Sequence, residues 1–249
     1  MRAALVLLLV SLAADAAAQD ARRSGYAEMG PALRAMQDDD AANPASLWVL
    51  EGSVLWGARA GAGMRACADC HGAPETMQGV AARYPAFDAK RGSAVDLAGR
   101  IEECRAERQQ APPFGRETRP LLALEALVAR QSRGVALAAD PALAEVASVG
   151  ETLWRQRIGQ LDLSCAQCHD DRAGLRLGGT PIPQAHATAY PVYRLEWQGL
   201  GSLQRRLRNC MTGVRAAPYA YGSQEFLALE TFLARRSAGM PHEGPGVRP

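Results

Sequence analysis

Two five-residue stretches, Cys67-Ala-Asp-Cys70-His71 and Cys165-Ala-Gln-Cys168-His169, decide the fold of this chain. Both follow the pattern C-x-x-C-H. Two thiols one short turn apart can bond to the two vinyl groups of one haem, while the adjacent imidazole reaches the iron. A single match could also be a redox dithiol or part of a zinc site. Two matches that are far apart in one chain predict two covalently attached haem c groups.

The sequence that follows each motif is repeated. A Tyr-Pro pair, a segment ending in a lone cysteine and a Leu-Ala-Leu-Glu segment occur in the same order in both halves. They lie at residues 84–85, 97–104 and 122–130 in the first half, and at residues 190–191, 203–210 and 227–235 in the second. We therefore interpret the chain as a tandem duplication, with an insertion near residues 170–188 and a linker at residues 134–141.

Helical periodicity predicts three helices in each half. We expect them at residues 46–59, 95–107 and 118–133 in the first half, and at residues 141–157, 200–210 and 223–237 in the second. Glycine-rich and proline-rich stretches separate them, as is common where a chain wraps a cofactor. The prediction is a mainly α fold, a tandem pair of cytochrome c-like haem domains with long irregular loops, at residues 19–138 and 139–249.

Residues 1–18 have the features of an export signal. Arg2 precedes an apolar run at residues 3–14, and small residues at 16–18 precede Gln19, as at a signal peptidase site. The apolar run is too short to span a bilayer, and no later apolar segment is long enough. We therefore expect a soluble protein outside the cytoplasm, where haem c is attached. The net charge of +2 over 249 residues does not suggest nucleic acid or a membrane as a partner.

Cys104 and Cys210 are the cysteines outside the haem motifs, and they occupy equivalent positions in the repeat. The histidines and methionines that could also serve as the second iron ligand have no repeat partner: His186, His242, Met77 and Met211. Equivalent positions favour equivalent roles, and a thiolate on each haem iron would satisfy this. A disulfide between the two cysteines and a pair of free thiols remain open alternatives.

The segment LQRRLRNCMTGVRAAPYAYGS at residues 203–223, together with two haem motifs that are each followed by a cysteine, resembles the SoxA family. These are the dihaem cytochrome subunits of periplasmic thiosulfate-oxidising SoxAX complexes, and the resemblance covers essentially the whole mature chain. It implies that His71 and Cys104 bind the first haem iron, and that His169 and Cys210 bind the second. It also implies a periplasmic location.

The resemblance further implies an L-cysteine S-thiosulfotransferase. In the family the cysteine on the second haem is catalytic and carries a persulfide, and the arginine four residues before it binds substrate. Here these residues are Cys210 and Arg206. The implied reaction joins thiosulfate to a cysteine of the SoxYZ carrier and gives a cysteine S-thiosulfonate. The implied partners are a monohaem SoxX-type subunit in a heterodimer and a soluble cytochrome c that accepts the two electrons.

The residues themselves agree with this role for Arg206. Positions four apart on a helix share a face, so Arg206 should lie beside Cys210, and a guanidinium fork suits the oxygens of thiosulfate. Arg205 and Arg208 are expected to be solvated helix residues, and Arg215 is a weaker candidate for the same pocket. A plain dihaem electron-transfer cytochrome and a dihaem peroxidase remain alternative functions.

Overall fold

Each half is built on two long helices that cross closely, in a computed structural model that describes residues 21–249. The predicted export signal at residues 1–18 lies outside the described residues. The helices are α1 (Pro31–Asp38), α2 (Ser46–Gly57), α3 (Ala68–His71), α4 (Leu97–Cys104), α5 (Arg119–Gln131), α6 (Ala144–Arg155), α7 (Cys165–His169), α8 (Leu203–Gly213) and α9 (Gln224–Ser237). Helix α2 crosses α5 in the first half, and α6 crosses α9 in the second.

Glycine allows these crossings to be close. A methyl group added at Gly52 of α2 would run into the backbone carbonyl of Ala123 in α5. A methyl group added at Gly150 of α6 would meet the backbone carbonyl of Ala228 in α9 in the same way. The duplicated crossing confirms the predicted helices at residues 46–59, 118–133 and 223–237, whose observed ends differ by at most two residues.

Short hairpins precede the middle helix of each half and were not predicted. Strands β1 (Ala86–Asp88) and β2 (Ser93–Val95) form the first, and β5 (Val192–Arg194) and β6 (Gly199–Gly201) form the second. The predictions that helices begin at residues 95 and 200 were therefore wrong, because residue 95 belongs to β2 and residues 199–201 pair with β5. The helix α8 begins at residue 203, after the side chain of Ser202 caps the backbone N–H of Arg205.

The predicted insertion near residues 170–188 contains another small hairpin. It pairs β3 (Arg176–Leu177) with β4 (Thr180–Pro181), and both strands are largely exposed. In the first half, α4 ends at Cys104 and continues into a single π-helical stretch, Arg105–Gln109, which has no counterpart after α8. The two halves therefore differ by the inserted hairpin in the second half and by the π-helical stretch after α4 in the first.

The two ends of the described chain meet on the second half. The last strand, β7 (Gly246–Arg248), lies parallel to β5. The side-chain oxygen of Gln37 in α1 accepts hydrogen bonds from the backbone of Val247 (2.9 Å) and from Arg248 (2.6 Å). Arg22 donates to the carbonyl of Ala238 at 2.9 Å. The domain boundary at residues 138–139 stays a prediction, and residues before α2 pack against the other half.

A cavity of about 110 Å³ lies between the halves, and four acidic residues are among the mostly apolar residues that line it. Glu125 of α5 and Glu230 of α9, at equivalent positions in the repeat, are both buried. Asp96 accepts a hydrogen bond from Arg116 at 2.8 Å, and Gln204 donates to both Asp96 (3.1 Å) and Glu230 (3.2 Å). Burial raises the pKa of Glu125 well above its ordinary value. Asp96 and Glu230 are therefore held by hydrogen bonds at the interface, and burial makes Glu125 hold its proton more tightly than in water.

Within the part of the chain from residue 21 onward, no helix is both long enough and apolar enough to cross a bilayer.

Candidate haem and substrate sites

In the first half, a tryptophan on the crossing helices positions the histidine of the haem motif. Trp56 of α2 donates a hydrogen bond from its ring nitrogen to the carbonyl of Gly72 at 2.8 Å. Its ring lies 5.7 Å from the imidazole of His71. Cys67 is partly buried against the apolar cluster that contains Trp56, and Cys70 is exposed. Apolar packing thus holds Cys67 in place, whereas the thiol of Cys70 faces solvent.

The second half repeats this arrangement and adds a hydrogen bond to the histidine. The ring of Trp154 lies 5.5 Å from that of His169, and its nitrogen donates to Asp170 at 2.9 Å. The Nδ1 atom of His169 is 2.7 Å from the carbonyl oxygen of Pro183. A carbonyl can only accept, so Nδ1 carries the proton and Nε2 keeps a lone pair for a metal. Pro183 follows the inserted hairpin, so the insertion supplies this contact.

The charge state of His169 suits metal binding. Burial lowers the pKa of His169, and the nearby charge of Arg206 acts in the same direction, against the favourable carbonyl of Pro183. The ring is therefore neutral at ordinary pH, which is the form that binds a metal.

Each lone cysteine lies beside the haem motif of its own half. Burial raises the pKa of Cys67, and the next largest contribution is negative charge at Cys104. Burial likewise raises the pKa of Cys165 to about 12, again with negative charge at Cys210 as the next contribution. No disulfide joins any of the six cysteines. The alternative of a disulfide between Cys104 and Cys210 was therefore wrong, because each thiol faces its own motif instead of the other half.

The donor set fits haem c in both halves. Each half provides two thiols on one helical turn, an imidazole next to them, a further thiol from the middle helix, and an apolar cluster into which the first motif cysteine packs. Those are the attachment points, ligands and apolar walls that a covalently bound porphyrin requires. Among residues 21–249, no group of three or more histidines, cysteines or acidic residues is gathered around a bare metal ion.

Met211 and His242, two of the candidate iron ligands without a repeat partner, are buried among other parts of the chain. Met211 is buried in the apolar core of the second half. His242 is buried near the end of the chain, and its Nδ1 atom accepts a hydrogen bond from the backbone of Gly244 at 3.1 Å. Burial, and then the charge of Arg133, lowers the pKa of His242 to about 4.

Arg206 carries a positive charge close to Cys210. It is half-buried on α8, and its guanidinium makes no hydrogen bond or ion pair with any of residues 21–249. Burial by itself would lower the pKa of Arg206. Negative charge at Cys210, and then at Tyr190 and Glu196, outweighs burial and raises that pKa. The guanidinium is therefore available to an anion from outside the chain.

The neighbouring arginines have other contacts. The guanidinium of Arg205 lies 4.4 Å from the ring centre of Trp197, and that of Arg208 lies 4.6 Å from the ring centre of Tyr221. The expectation that both are simply solvated was wrong, because aromatic rings cover them. Arg215 follows α8 with a left-handed backbone (φ +59°) and is exposed, and its side chain forms no hydrogen bond or ion pair within the described residues.

Sequence reasoning missed the tryptophans and Pro183. Trp56 and Trp154 precede their motifs at the same spacing, so the repeat itself held the signal for them. No spacing or composition signal marks Pro183, whose carbonyl reaches His169 through the path of an irregular loop.

The fold and these sites define a class of protein: a c-type cytochrome in which a C-x-x-C-H motif lies beside a pair of crossing helices, twice in one chain. A family model described as "SoxA/TsdA, cytochrome c domain" matches residues 51–137 and 149–242 of this chain. The chain belongs to this SoxA/TsdA family of cytochromes c, and the family's domain binds haem c covalently.

Similar proteins carry one shared name. The chain is 35% identical over 232 residues to the L-cysteine S-thiosulfotransferase subunit SoxA of Rhodovulum sulfidophilum, covering 92% of this chain and 81% of that protein. It is 33% identical over 227 residues to the subunit of the same name from Paracoccus pantotrophus, covering 90% and 78%. The crystal structure of SoxXA from P. pantotrophus matches with a TM-score of 0.88 and 32% identity, covering 92% of this chain and 87% of that chain. The predicted mainly α tandem cytochrome c fold is confirmed.

Proposed function

We propose that this chain is the haem-dependent L-cysteine S-thiosulfotransferase subunit that its relatives' names describe. Its reaction joins thiosulfate to a cysteine of a SoxYZ-type carrier. A sulfur–sulfur bond forms between the carrier cysteine and the sulfane sulfur of thiosulfate, one proton leaves the carrier thiol, and two electrons leave the sulfur atoms. The observation that carries the proposal is the guanidinium of Arg206 beside Cys210 in the second half, which is unpaired among residues 21–249.

The proposal includes two haem c groups, one in each half. The residues that would hold them are Cys67, Cys70, His71 and Cys104 in the first half, and Cys165, Cys168, His169 and Cys210 in the second. When bound, haem c provides an acceptor for single electrons and a ferric iron that stabilises a thiolate ligand. The proposed electron acceptors beyond this chain are a SoxX-type monohaem subunit, which forms a heterodimer with it, and a soluble cytochrome c.

The residues of the second half then have distinct roles. Arg206 binds the sulfonate oxygens of thiosulfate and offsets their charge, which orients the sulfane sulfur toward Cys210. Cys210, as a persulfide, forms a bond from its outer sulfur to that sulfane sulfur as two electrons leave. The carrier thiolate then attacks the sulfane sulfur, takes the thiosulfonate group and restores the persulfide. Pro183 holds His169 in the orientation and tautomer that leaves Nε2 free.

The alternatives, a plain dihaem electron carrier and a dihaem peroxidase, lack support from this site. An electron carrier has no use for an unpaired arginine beside a ligand cysteine. A peroxidase needs an open or labile face on one iron, whereas here a thiol lies near each motif. Low-temperature EPR of the oxidised protein distinguishes the classes, because histidine–thiolate ligation and bis-histidine ligation give different low-spin signals.

The protein is proposed to act in the periplasm after export through residues 1–18. This agrees with the maturation of haem c outside the cytoplasm.

The decisive experiment mixes the purified holoprotein with a SoxX-type subunit, thiosulfate, a SoxYZ-type carrier and oxidised cytochrome c. Cytochrome c reduction and the mass of the carrier are followed together. We expect thiosulfate-dependent reduction and a carrier mass that rises by one thiosulfonate group. Cys210→Met should keep haem and lose turnover, whereas Arg205→Gln, one residue from Arg206, should keep both. Unchanged turnover in Cys210→Met would refute the proposal.

A further inference from the structure

The arginine of the middle helix has opposite surroundings in the two halves. In the first half, Arg100 of α4 corresponds to Arg206 and is fully paired. Its guanidinium contacts Asp88, at the end of β1, at 2.5 Å and Glu103 at 2.8 Å. Asp88 is buried, with only 6% of its side chain exposed. The positive charge of Arg100 is thus neutralised within the chain.

The hairpins before the two helices have the same pairing register at equivalent sequence positions. In the first hairpin Ala86 pairs with Val95, and Asp88 pairs with Ser93. In the second hairpin the corresponding pairs join residue 192 to residue 201 and residue 194 to residue 199. Because hairpin, cap and helix follow one another identically, residue 194 takes the place of Asp88 next to the helix arginine. That residue is Arg194.

Both carboxylates that neutralise the first arginine are missing in the second half. Arg194 replaces Asp88, and Asn209 replaces Glu103. Arg206 therefore faces a second guanidinium where Arg100 faces a carboxylate. A charge pair in one half has become two like charges in the other.

Among the described residues, one carboxylate pairs with Arg194 and none pairs with Arg206. The Nε atom of Arg194 is 2.7 Å from a carboxylate oxygen of Glu196, whose side chain is 48% exposed. The side chain of Arg194 itself is only 13% exposed, and its guanidinium lies 5.3 Å from the ring centre of Trp197. Burial, and then the charge of Arg206, lowers the pKa of Arg194. A largely buried guanidinium and a half-buried guanidinium that share only one half-exposed counter-ion are costly to hold together unless an anion joins them.

We infer that Arg194 and Arg206 together form a two-guanidinium cleft that binds the sulfonate group of thiosulfate, with Arg194 as a second substrate-binding residue. The inference rests on the proposed function. A sulfonate presents three oxygens and can accept charge-assisted hydrogen bonds from two guanidinium groups at once. Its sulfane sulfur is then left for Cys210, one helical turn beyond Arg206 on the same face. The same logic explains why only the second half would act on thiosulfate.

The test is a set of variants at residue 194, assayed in the reconstituted complex with thiosulfate as the varied substrate. A charge-assisted hydrogen bond contributes about 1.5–3 kcal/mol, so Arg194→Gln should raise KM for thiosulfate about tenfold or more. Arg194→Asp, which recreates the charge pair of the first half, should raise it further, and Arg194→Lys should fall between wild type and Arg194→Gln. Haem content and the EPR signals of all three should match wild type.

Matched controls separate binding from a structural role. Arg205→Gln removes an arginine that lies on the same tryptophan ring, and it should leave KM unchanged. Glu196→Gln removes the ion pair of Arg194 without removing its charge, so KM should stay the same or fall. If Arg194 only stabilises the loop through Glu196, then both Arg194→Gln and Glu196→Gln will lower thermal stability with KM unchanged. That pattern would overturn the inference.

Calorimetric titration of the holoprotein with thiosulfate keeps the inference separate from the proposed function. Binding in wild type that is weakened at least tenfold in Arg194→Gln supports the cleft, even if the complex shows no turnover. Turnover that depends on Arg206 and Cys210 but not on Arg194 would leave the proposed function standing and refute the cleft. Wild type that binds no thiosulfate in the titration would also refute it.

Discussion

Replacing Gly150 by alanine should weaken the second half at its helix crossing. The added methyl group would lie 2.6 Å from the carbonyl carbon of Ala228 and 2.8 Å from Cβ of Phe232, where ordinary contacts are 3.4–4 Å. Because the obstacle is backbone, no rotamer change relieves it, and α6 and α9 must move apart. Overpacking costs about 1–3 kcal/mol, and a backbone clash belongs at the upper end of that range.

The net effect is smaller than the clash, because alanine favours a helix over glycine by about 1 kcal/mol. We therefore expect the free energy of unfolding to fall by about 2 kcal/mol, which for a chain of this size corresponds to a Tm lower by about 4–8 °C. Thermal unfolding of the fully haem-loaded protein, followed by far-UV circular dichroism, measures this shift. Gly52→Ala at the equivalent crossing of the first half should also destabilise.

Gly57→Ala is the control for the same exchange, since a methyl group there would meet nothing within 4 Å at the end of α2. It should leave Tm unchanged or raise it slightly. If Gly150→Ala and Gly57→Ala give the same Tm, the close crossing does not require glycine and the reasoning is refuted.

Two further perturbations address the first haem and the interface between the halves. Cys104→Met should raise the reduction potential of the first haem, because a neutral thioether would replace an anionic ligand; an equilibrium redox titration with an unchanged potential would contradict the assigned ligand. Burial, and then the charge of Asp96, raises the pKa of Glu230 to about 8 from an ordinary value of 4.5. The folded protein thus holds this proton more tightly, so stability should be full below about pH 4.5 and fall by up to about 1.4 kcal/mol per pH unit as pH rises toward 8. Urea unfolding at several pH values should show a flatter dependence for Glu230→Gln, and equal slopes would disprove the role of this carboxyl group.

The long helices were predictable because local and global signals agree there. The apolar positions of α5 and α9 recur at helical spacing, and those helices are almost completely buried on both sides of the crossing. The repeat supplied a second, independent copy of each element. Agreement between the copies located the helix ends within about two residues for α2, α5 and α9.

The strands were not predictable in the same way. Each has two or three residues and lies between glycines, prolines and turns, so no alternating pattern is long enough to be recognised. Gly199-Leu200-Gly201 looked like the start of a helix, but tertiary pairing with β5 extends it as a strand. The pairing with β5 therefore outweighs the local preference for a helix at these residues.

The candidate site was predictable only where chemistry and spacing coincide. The haem motifs and Cys210 have fixed spacing or an equivalent residue in the other half. Arg194 has neither, because a lone arginine in a short strand resembles any surface residue. Its importance follows from a comparison with the first half. Asp88 occupies the equivalent position there, and the structure shows that Asp88 forms an ion pair with Arg100.

The meeting of the chain ends on the second half has a consequence for how this protein could change over generations. Gln37 and Arg22 bind residues beyond position 236, and the linker residues Gly134 and Leu137 pair with His242 and Met240. If either half were produced alone, the residues in these contacts would lack their hydrogen-bond partners. Substitution of a haem ligand leaves these contacts in place, whereas deletion of the half that contains the ligand removes them. The contacts between the chain ends thus join the two duplicated halves, and we expect the halves to be retained or lost together.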